Sequence, residues 1–283
     1  MRVFLLALLL GAPVASCADD APSDAVAEAA PDRPFPVPYR LDAPDAVFSL
    51  DGDLQEISGL TMLPSGRLGA VQDEEGEIYE VDPATGAVVR TQPFADDGDY
   101  EGIELTPEAV WVLRSDGDLY RVARGPDGRA QTETIETALR GRNDTEGLAY
   151  DAAGHRLLIA CKEDPGPGLK GVRAIWAFDL ASRTLSERPA VLLDRDLVDG
   201  DAPFRPSGLA VHPRTGTLYV ISSVHVALAV VAPDGALQAV IPLDPDLFPQ
   251  PEGIAFAPDG TLYIASEGPS GPGTLLRFSP TDA

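Results

Sequence analysis

The chain has 283 residues, of which 44% are hydrophobic, so it can build a packed core without help from disulfides. Its formal net charge is −24 at pH 7. This acidity excludes nucleic acid as a general partner, because a protein of this charge repels the phosphate backbone, whereas carboxylate oxygens favour hard divalent cations such as Ca²⁺.

The N-terminus has the features of an export signal. Arg2 precedes the apolar run Val3–Gly11, which is too short to span a bilayer. The following Val14-Ala15-Ser16-Cys17 resembles the bacterial lipobox. That resemblance implies cleavage before Cys17 and lipidation of its thiol, so residues 1–16 are predicted to be a lipoprotein signal peptide. The alternative is an ordinary signal peptide with an incidental cysteine.

The next segment is predicted to be a tether. Residues 17–36 comprise the lipidated Cys17 and a stretch rich in Ala, Asp, Pro and Ser, a composition typical of flexible linkers. Ala18 follows the cysteine, where Asp would signal retention in the inner membrane of Gram-negative bacteria. We therefore expect an envelope protein on the outer membrane, facing the periplasm. Cys161 then has no partner for a disulfide.

A short motif recurs through the remaining residues 37–283, at steps of 43, 45, 61 and 45 residues. Its copies are Ser58-Gly59-Leu60, Glu101-Gly102-Ile103, Glu146-Gly147-Leu148, Ser207-Gly208-Leu209 and Glu252-Gly253-Ile254. After each copy come short apolar segments separated by Gly, Pro and Asp, with hardly any helical periodicity. Four short strands in about 45 residues are typical of one β-propeller blade.

The repeat count predicts an all-β, five-bladed propeller of four-stranded blades. The last repeat has only three strands, so we expect the N-terminal segment Tyr39–Leu50 to pair beside Leu275–Phe278 and close the ring. The alternative is a propeller of six blades, with additional strands inside the 61-residue step.

Several runs of residues resemble the SdiA-regulated domain, or YjiK-like, family. They are Glu56-Ile57-Ser58-Gly59-Leu60, Gln72-Asp73-Glu74, Glu146-Gly147-Leu148-Ala149-Tyr150, Lys162-Glu163, Pro206-Ser207-Gly208-Leu209, Glu252-Gly253-Ile254 and Ser266-Glu267. The resemblance implies a membrane-associated propeller of the bacterial envelope and says little about chemistry. Two departures, Arg114-Ser115-Asp116 and Ser223-Val224-His225, replace acidic positions of the family pattern.

Propeller geometry predicts that the motif residues meet at one mouth of the central channel, because every innermost strand starts there. We expect a cation, most naturally Ca²⁺, bound by some of Glu101, Glu146 and Glu252, with Ser58 or Ser207 as weaker ligands. The alternative is structural: the glutamates accept hydrogen bonds from neighbouring inner strands and join adjacent blades.

The second strand of each blade returns to the same mouth and brings further charged residues to it. The predicted acidic members are Asp73, Glu74, Asp116, Glu163 and Glu267, and the predicted basic members are Arg114, Lys162 and Arg205. The basic residues either neutralise these carboxylates or bind an anionic ligand.

Two functions fit these features. The first is a binding module, held at the membrane by its lipid and presenting the mouth to a small-molecule ligand or an envelope protein, which we expect to be a monomer. The second is a metal-dependent hydrolase, either a phytase-like phosphoesterase or a lactonase, in which a divalent cation polarises the substrate. The shortage of histidines and of strongly basic groups disfavours the hydrolase.

Overall fold

The computed structural model of the protein describes residues 37–125 and 129–281. The predicted signal peptide, Cys17 and the tether lie outside the described residues. In the part that is described, no helix is long and apolar enough to cross a membrane.

The described residues form five small antiparallel sheets arranged as a five-bladed β-propeller. Blade 1 consists of β2 (Ile57–Met62), β3 (Leu68–Gln72), β4 (Glu77–Val81) and β5 (Val88–Pro93). Blade 2 consists of β6 (Tyr100–Leu105), β7 (Val110–Arg114), β8 (Leu119–Arg124) and β9 (Ala130–Ile135). Blade 3 consists of β10 (Thr145–Asp151), β11 (Arg156–Cys161), β12 (Val172–Asp179), β13 (Thr184–Leu185) and β14 (Val191–Asp194). Blade 4 consists of β15 (Pro206–Val211), β16 (Leu218–Ser222), β17 (Ala227–Val231) and β18 (Leu237–Pro242). Blade 5 consists of β19 (Pro251–Phe256), β20 (Leu262–Ser266), β21 (Thr274–Phe278) and β1 (Ala46–Ser49).

Burial decreases from the axis outwards within a blade. In blade 1, all five residues of β3 are buried, whereas four of the six residues of the outer strand β5 are exposed. Apolar side chains fill the spaces between neighbouring blades, as where Leu209 of blade 4 packs with Ala149 and Ala160 of blade 3. The sequences of the inner strands are therefore almost continuously apolar, because both faces of each strand are covered.

The predicted closure of the ring is confirmed. Strand β1 pairs antiparallel with β21, with Ala46 opposite Arg277 and Ser49 opposite Thr274. The strand is shorter than the predicted Tyr39–Leu50, because Tyr39 lies before it as a buried side chain whose hydroxyl donates to the carbonyl oxygen of Gly260 at 2.7 Å. The first and last segments of the domain are thus joined in one sheet, which removes two exposed sheet edges.

The six-blade alternative is wrong. The additional residues of the 61-residue step extend blade 3, where β12 pairs with β14 along its first half and with β13 at its end. Two short strands thus share the outer edge of one long strand. A four-residue helix, α1 (Arg195–Val198), follows β14 and leads to blade 4. Sequence length alone does not distinguish this divided edge from a separate sheet.

Candidate functional site at the acidic mouth

Each motif residue occupies a β-bulge at the start of an inner strand. The register between the first and second strands shifts at every copy, between Ile57 and Gly59 in blade 1 and between Thr145 and Gly147 in blade 3, for example. The same shift occurs in the other three blades. A bulge leaves one residue unpaired and redirects its side chain. The motif therefore marks five places where a side chain leaves the ladder at the same end of the axis.

These side chains surround a narrow axial void of about 10 Å³, which is close to the volume that one water molecule needs. Ser58, Glu101, Glu146 and Glu252 line it, together with motif glycines and apolar residues. Ser207 does not. The structure thus brings the three predicted glutamate ligands to one place on the axis.

The two motif serines bond from blade to blade. The Ser58 hydroxyl donates to the carbonyl oxygen of Tyr100 in blade 2 at 2.5 Å, and the Ser207 hydroxyl donates to that of Pro251 in blade 5 at 2.7 Å. The serines therefore join adjacent blades, a role that the structural alternative assigns to the glutamates. Their role as weak metal ligands stays a prediction.

The glutamates have buried carboxylates with unfilled bonding capacity. Glu146 is 3% exposed and Glu252 is 4% exposed. One oxygen of Glu146 forms an ion pair with the Lys162 ammonium, but its other oxygen, Oε2, has no hydrogen-bond partner. The Oε2 atom of Glu252 is also buried without a partner. Unpartnered buried acceptors are rare in folded proteins and call for an explanation.

Burial raises the pKa of all three glutamates. For Glu101 the charge of Glu146 and a hydrogen bond with Asp99 raise the pKa further. For Glu146 the Lys162 ammonium opposes the effect of burial, and the pKa still lies above its usual range. For Glu252 the charges of Glu146 and Glu267 add to the effect of burial. Burial and mutual repulsion therefore favour the protonated form of these carboxyls unless a cation compensates their charge.

A second acidic pair lies beside the axis. Burial and the charge of Glu56 raise the pKa of Asp73 to about 6, and burial and the charge of Asp73 raise that of Glu267 to about 7. The Gln250 side-chain amide donates to Glu267, and Oδ1 of Asp73 is buried without a partner. Sequence reasoning found Asp73 and Glu267 but missed Glu56 and Gln250, because their loops carry no repeat pattern.

The predicted basic residues each contact an acidic residue. Arg114 forms ion pairs with Asp116 at 2.7 Å and Asp118 at 2.8 Å, within its own hairpin. Arg205 pairs with Glu163, as Lys162 does with Glu146. These contacts favour neutralisation over the binding of an anionic ligand. Glu74, the remaining predicted residue of the mouth, is exposed.

The described residues contain no group of three His, Cys, Asp or Glu side chains close enough together to hold a metal ion. Calcium at this mouth therefore stays a prediction. The arrangement does supply an all-oxygen donor set with two unpartnered carboxylate oxygens, and such oxygens are the ligands that Ca²⁺ prefers.

Solved structures share this fold at low sequence identity. Glutaminyl cyclase from Myxococcus xanthus aligns with a TM-score of 0.59 and 15% identity over 85% of this chain and 97% of that one. A protein assigned as a gluconolactonase aligns with a TM-score of 0.52 and 16% identity, over 81% of this chain and 76% of that one. The PQQ-bound aldose sugar dehydrogenase from Streptomyces coelicolor aligns with a TM-score of 0.50 and 16% identity, over 84% of this chain and 99% of that one. At these identities the likeness shows the fold alone.

The sequence itself matches one family. The profile of the family described as SdiA-regulated covers residues 44–271, from just before β1 to the turn before β21. This range includes all five motif copies, both acidic clusters and the strands that position them. The chain belongs to the SdiA-regulated family.

Proposed function

We propose that this protein is a lipid-anchored binding module of the bacterial cell envelope. Its acidic mouth holds a divalent cation, Ca²⁺ by preference, through Glu146, Glu252 and Glu101. The mouth and its bound cation then receive a small molecule or a segment of an envelope protein. The anchor rests on Cys17 and the sequence before it, and the binding role rests on the rigid ring and on the chemistry of its mouth.

The observation that carries the cation proposal is the pair of unpartnered oxygens, Oε2 of Glu146 and Oε2 of Glu252. Leaving a buried acceptor without a partner costs about 1–3 kcal/mol, and more when the group is charged. One cation would serve both oxygens at once, and water molecules would complete its coordination. Because the void is small, the carboxylates must move to admit an ion with its waters.

Lys162 limits the affinity of such a site. Its ammonium already pairs with Glu146, and the charges of Glu252 and Asp144 also raise its pKa. An incoming cation has to share Glu146 with this lysine. It also has to displace the protons that neutralise the remaining carboxylates near pH 7. Cation binding is therefore coupled to proton release.

Calorimetric titration of metal-stripped protein with Ca²⁺ tests this proposal. We expect binding that is tighter at pH 8 than at pH 6, because fewer protons have to leave at pH 8. The double variant Glu146→Gln/Glu252→Gln should lose the binding heat. Glu74→Gln, an exposed change at the same mouth, should keep it. Absence of heat and of any Ca²⁺-dependent shift in Tm for the unmodified protein would reject the cation site, as would undiminished binding by the folded double variant.

A metal-dependent hydrolase, phytase-like or lactonase-like, is the second candidate, and the Asp73–Glu267 pair favours it. With pKa values of about 6 and 7, these carboxyls are suited to exchange protons near neutral pH, as general acids and bases do. Against it, Arg114, Lys162 and Arg205 are all engaged by acidic residues, so they offer no ready clamp for a phosphate group.

Activity assays separate the two candidates. The protein would be incubated with a phosphomonoester, phytate and a sugar lactone in the presence of Ca²⁺, Mg²⁺ or Mn²⁺. We expect no turnover above the buffer rate if the mouth only binds. Turnover that falls by about 100-fold in Glu267→Gln or Asp73→Asn, with Tm and Ca²⁺ binding retained, would establish the hydrolase and replace the binding proposal.

A further inference from the structure

The other end of the propeller axis opens into a larger cavity, which we name the far vestibule. It has a volume of about 630 Å³ and is formed where the five inner strands end, at Met62, Leu105, Asp151, Val211 and Phe256. This volume lies within the range of small-molecule sites. The far vestibule and the axial void of the acidic mouth are different cavities, although Leu60 and Ile254 lie between them and line both.

The half-buried carboxylate of Glu104 lines the far vestibule. It accepts hydrogen bonds from the Thr61 hydroxyl at 2.7 Å, from the Leu105 backbone N–H at 2.7 Å and from the Tyr150 backbone N–H at 3.0 Å. Thr61 belongs to blade 1 and Tyr150 to blade 3, so three blades fix the position of this group. A carboxylate that accepts several hydrogen bonds is favoured in its ionised form.

Glu104 has no counter-charge. Within residues 37–125 and 129–281, no Lys, Arg or His forms an ion pair with it; burial raises its pKa, and only the three hydrogen bonds oppose this. An ionised group that is partly withdrawn from water is stabilised when a partner of opposite charge comes close to it. A positively charged ligand in the far vestibule would supply that partner.

The charged groups on the rim of the far vestibule are occupied elsewhere. Asp151 pairs with Arg156 at 2.8 Å, and the Arg214 guanidinium donates to the backbone carbonyl oxygen of Asp259. The ring of His212 accepts from the backbone N–H groups of Arg214 and Thr215 at 3.3 Å each. Glu104 is therefore the acidic lining group whose charge is left for a ligand.

Apolar walls decide which kind of cation fits. Leu60, Met62, Leu105, Ile254 and Phe256 line the far vestibule around the Glu104 carboxylate. A metal ion needs several oxygen ligands, which these walls do not provide. An organic ammonium ion carries its own apolar substituents, is weakly hydrated and is attracted by aromatic faces such as those of Phe256 and Tyr150.

We propose that the far vestibule binds a small organic ammonium ion, with Glu104 as its counter-ion and the apolar ends of the inner strands around its substituents. This site uses none of the residues that hold the proposed cation at the acidic mouth. Its ligand would be a compact amine or quaternary ammonium compound, held by charge at one end and by apolar contact elsewhere.

Choline and its uncharged isostere 3,3-dimethyl-1-butanol form a matched pair of probes, because they share one shape and differ in charge. We expect calorimetric titration to detect choline binding and to give at least about tenfold weaker binding for the alcohol. Glu104→Gln should weaken choline binding by about the same factor. Glu74→Gln, an exposed change outside the far vestibule, should leave it unchanged.

A second variant allows the proposal to be tested even if Glu104→Gln fails to fold. Ala152 lines the far vestibule and is exposed, so Ala152→Trp should fold normally and block the cavity. We expect this variant to lose choline binding while keeping its Tm within about 2 °C. The proposal is overturned if 10 mM choline gives no binding, if the alcohol binds as tightly, or if both folded variants bind choline like the unmodified protein.

Discussion

Replacing Glu101 by glutamine is expected to stabilise the protein strongly at pH 8 and much less at pH 5. Burial, the charge of Glu146 and the hydrogen bond with Asp99 raise the pKa of this carboxyl far above its ordinary value of 4.5. The folded state therefore binds a proton that the unfolded chain releases near pH 4.5. The stability that this proton confers is fully present below pH 4.5 and declines as the pH rises towards the folded-state pKa.

Glutamine has no proton to lose, so the variant avoids that decline. We expect it to gain about 2 kcal/mol or more at pH 8, which corresponds to a rise in Tm of roughly 4–8 °C for a domain of this size. Calorimetric melts of metal-free protein at pH 5 and pH 8 measure the difference. Glu108→Gln, at an exposed turn on the other side of the propeller, is the matched control and should change neither melt.

An equal rise at both pH values would show that Glu101 destabilises the fold through its shape and not through its charge. A fall in Tm at pH 8 would show that the carboxylate is compensated in the folded protein, which would contradict the proposed site. The expected result has a functional meaning as well. A group that weakens the fold near neutral pH is explained most simply by a ligand that it binds, since binding sites often sacrifice stability for function.

Most of the architecture could be predicted because each blade repeats the same signals. The motif glycine, the turns and the apolar strands recur at nearly constant spacing, and the three-stranded last repeat pointed to β1 as its missing strand. The number of strands in the 61-residue step could not be predicted in the same way. Whether β13 and β14 pair with β12 or form their own sheet depends on tertiary contacts that the sequence pattern does not encode.

The acidic mouth could be predicted only in part. Ser58 and Glu101 occupy equivalent bulges and both line the axial void, but the serine hydroxyl donates to the carbonyl oxygen of Tyr100, whereas the glutamate brings a carboxylate to the void. The residue type at the bulge therefore decides which copies of the motif supply a charged group. The pairing of Lys162 with Glu146 depends on the register between β10 and β11, which sequence spacing gives only approximately.

The sequence analysis did not predict the far vestibule, although the inner strands contain a pattern that indicates it. Three residues after the motif Ser or Glu, the five inner strands carry Thr61, Glu104, Ala149, Ala210 and Ala255. One acidic residue among small residues at equivalent positions of the innermost strands is unexpected. Comparison of this position across the five repeats identifies Glu104 as the group that needs an explanation.

The motif glycines lead to the prediction with the largest expected effect on folding, for Gly208→Ala. A Cβ atom at this position would overlap the backbone carbonyl oxygen of Glu252 and lie 3.0 Å from the Ile221 side chain. The carbonyl belongs to β19, which the ring holds in place on both sides, so the strand cannot withdraw without disturbing blade 5. We expect a loss of about 3 kcal/mol or more, or failure to fold.

Gly253→Ala is the matched comparison, because it changes the same motif position in the next blade. Its Cβ would lie 3.0 Å from the Cβ atom of Leu60 and 3.2 Å from that of Ala265, a milder overlap that a shift of a few tenths of an ångström relieves. We expect a loss of about 1 kcal/mol there and none for Gly52→Ala, where an added Cβ meets nothing within 4 Å. Urea unfolding of the three variants measures the order. If Gly208→Ala were as stable as Gly253→Ala, the inner strands would be less closely spaced than the structure shows.

Because the displaced carbonyl belongs to Glu252, any folded Gly208→Ala protein should also bind Ca²⁺ more weakly than Gly253→Ala. A single clash alters both the spacing of the blades and the acidic mouth.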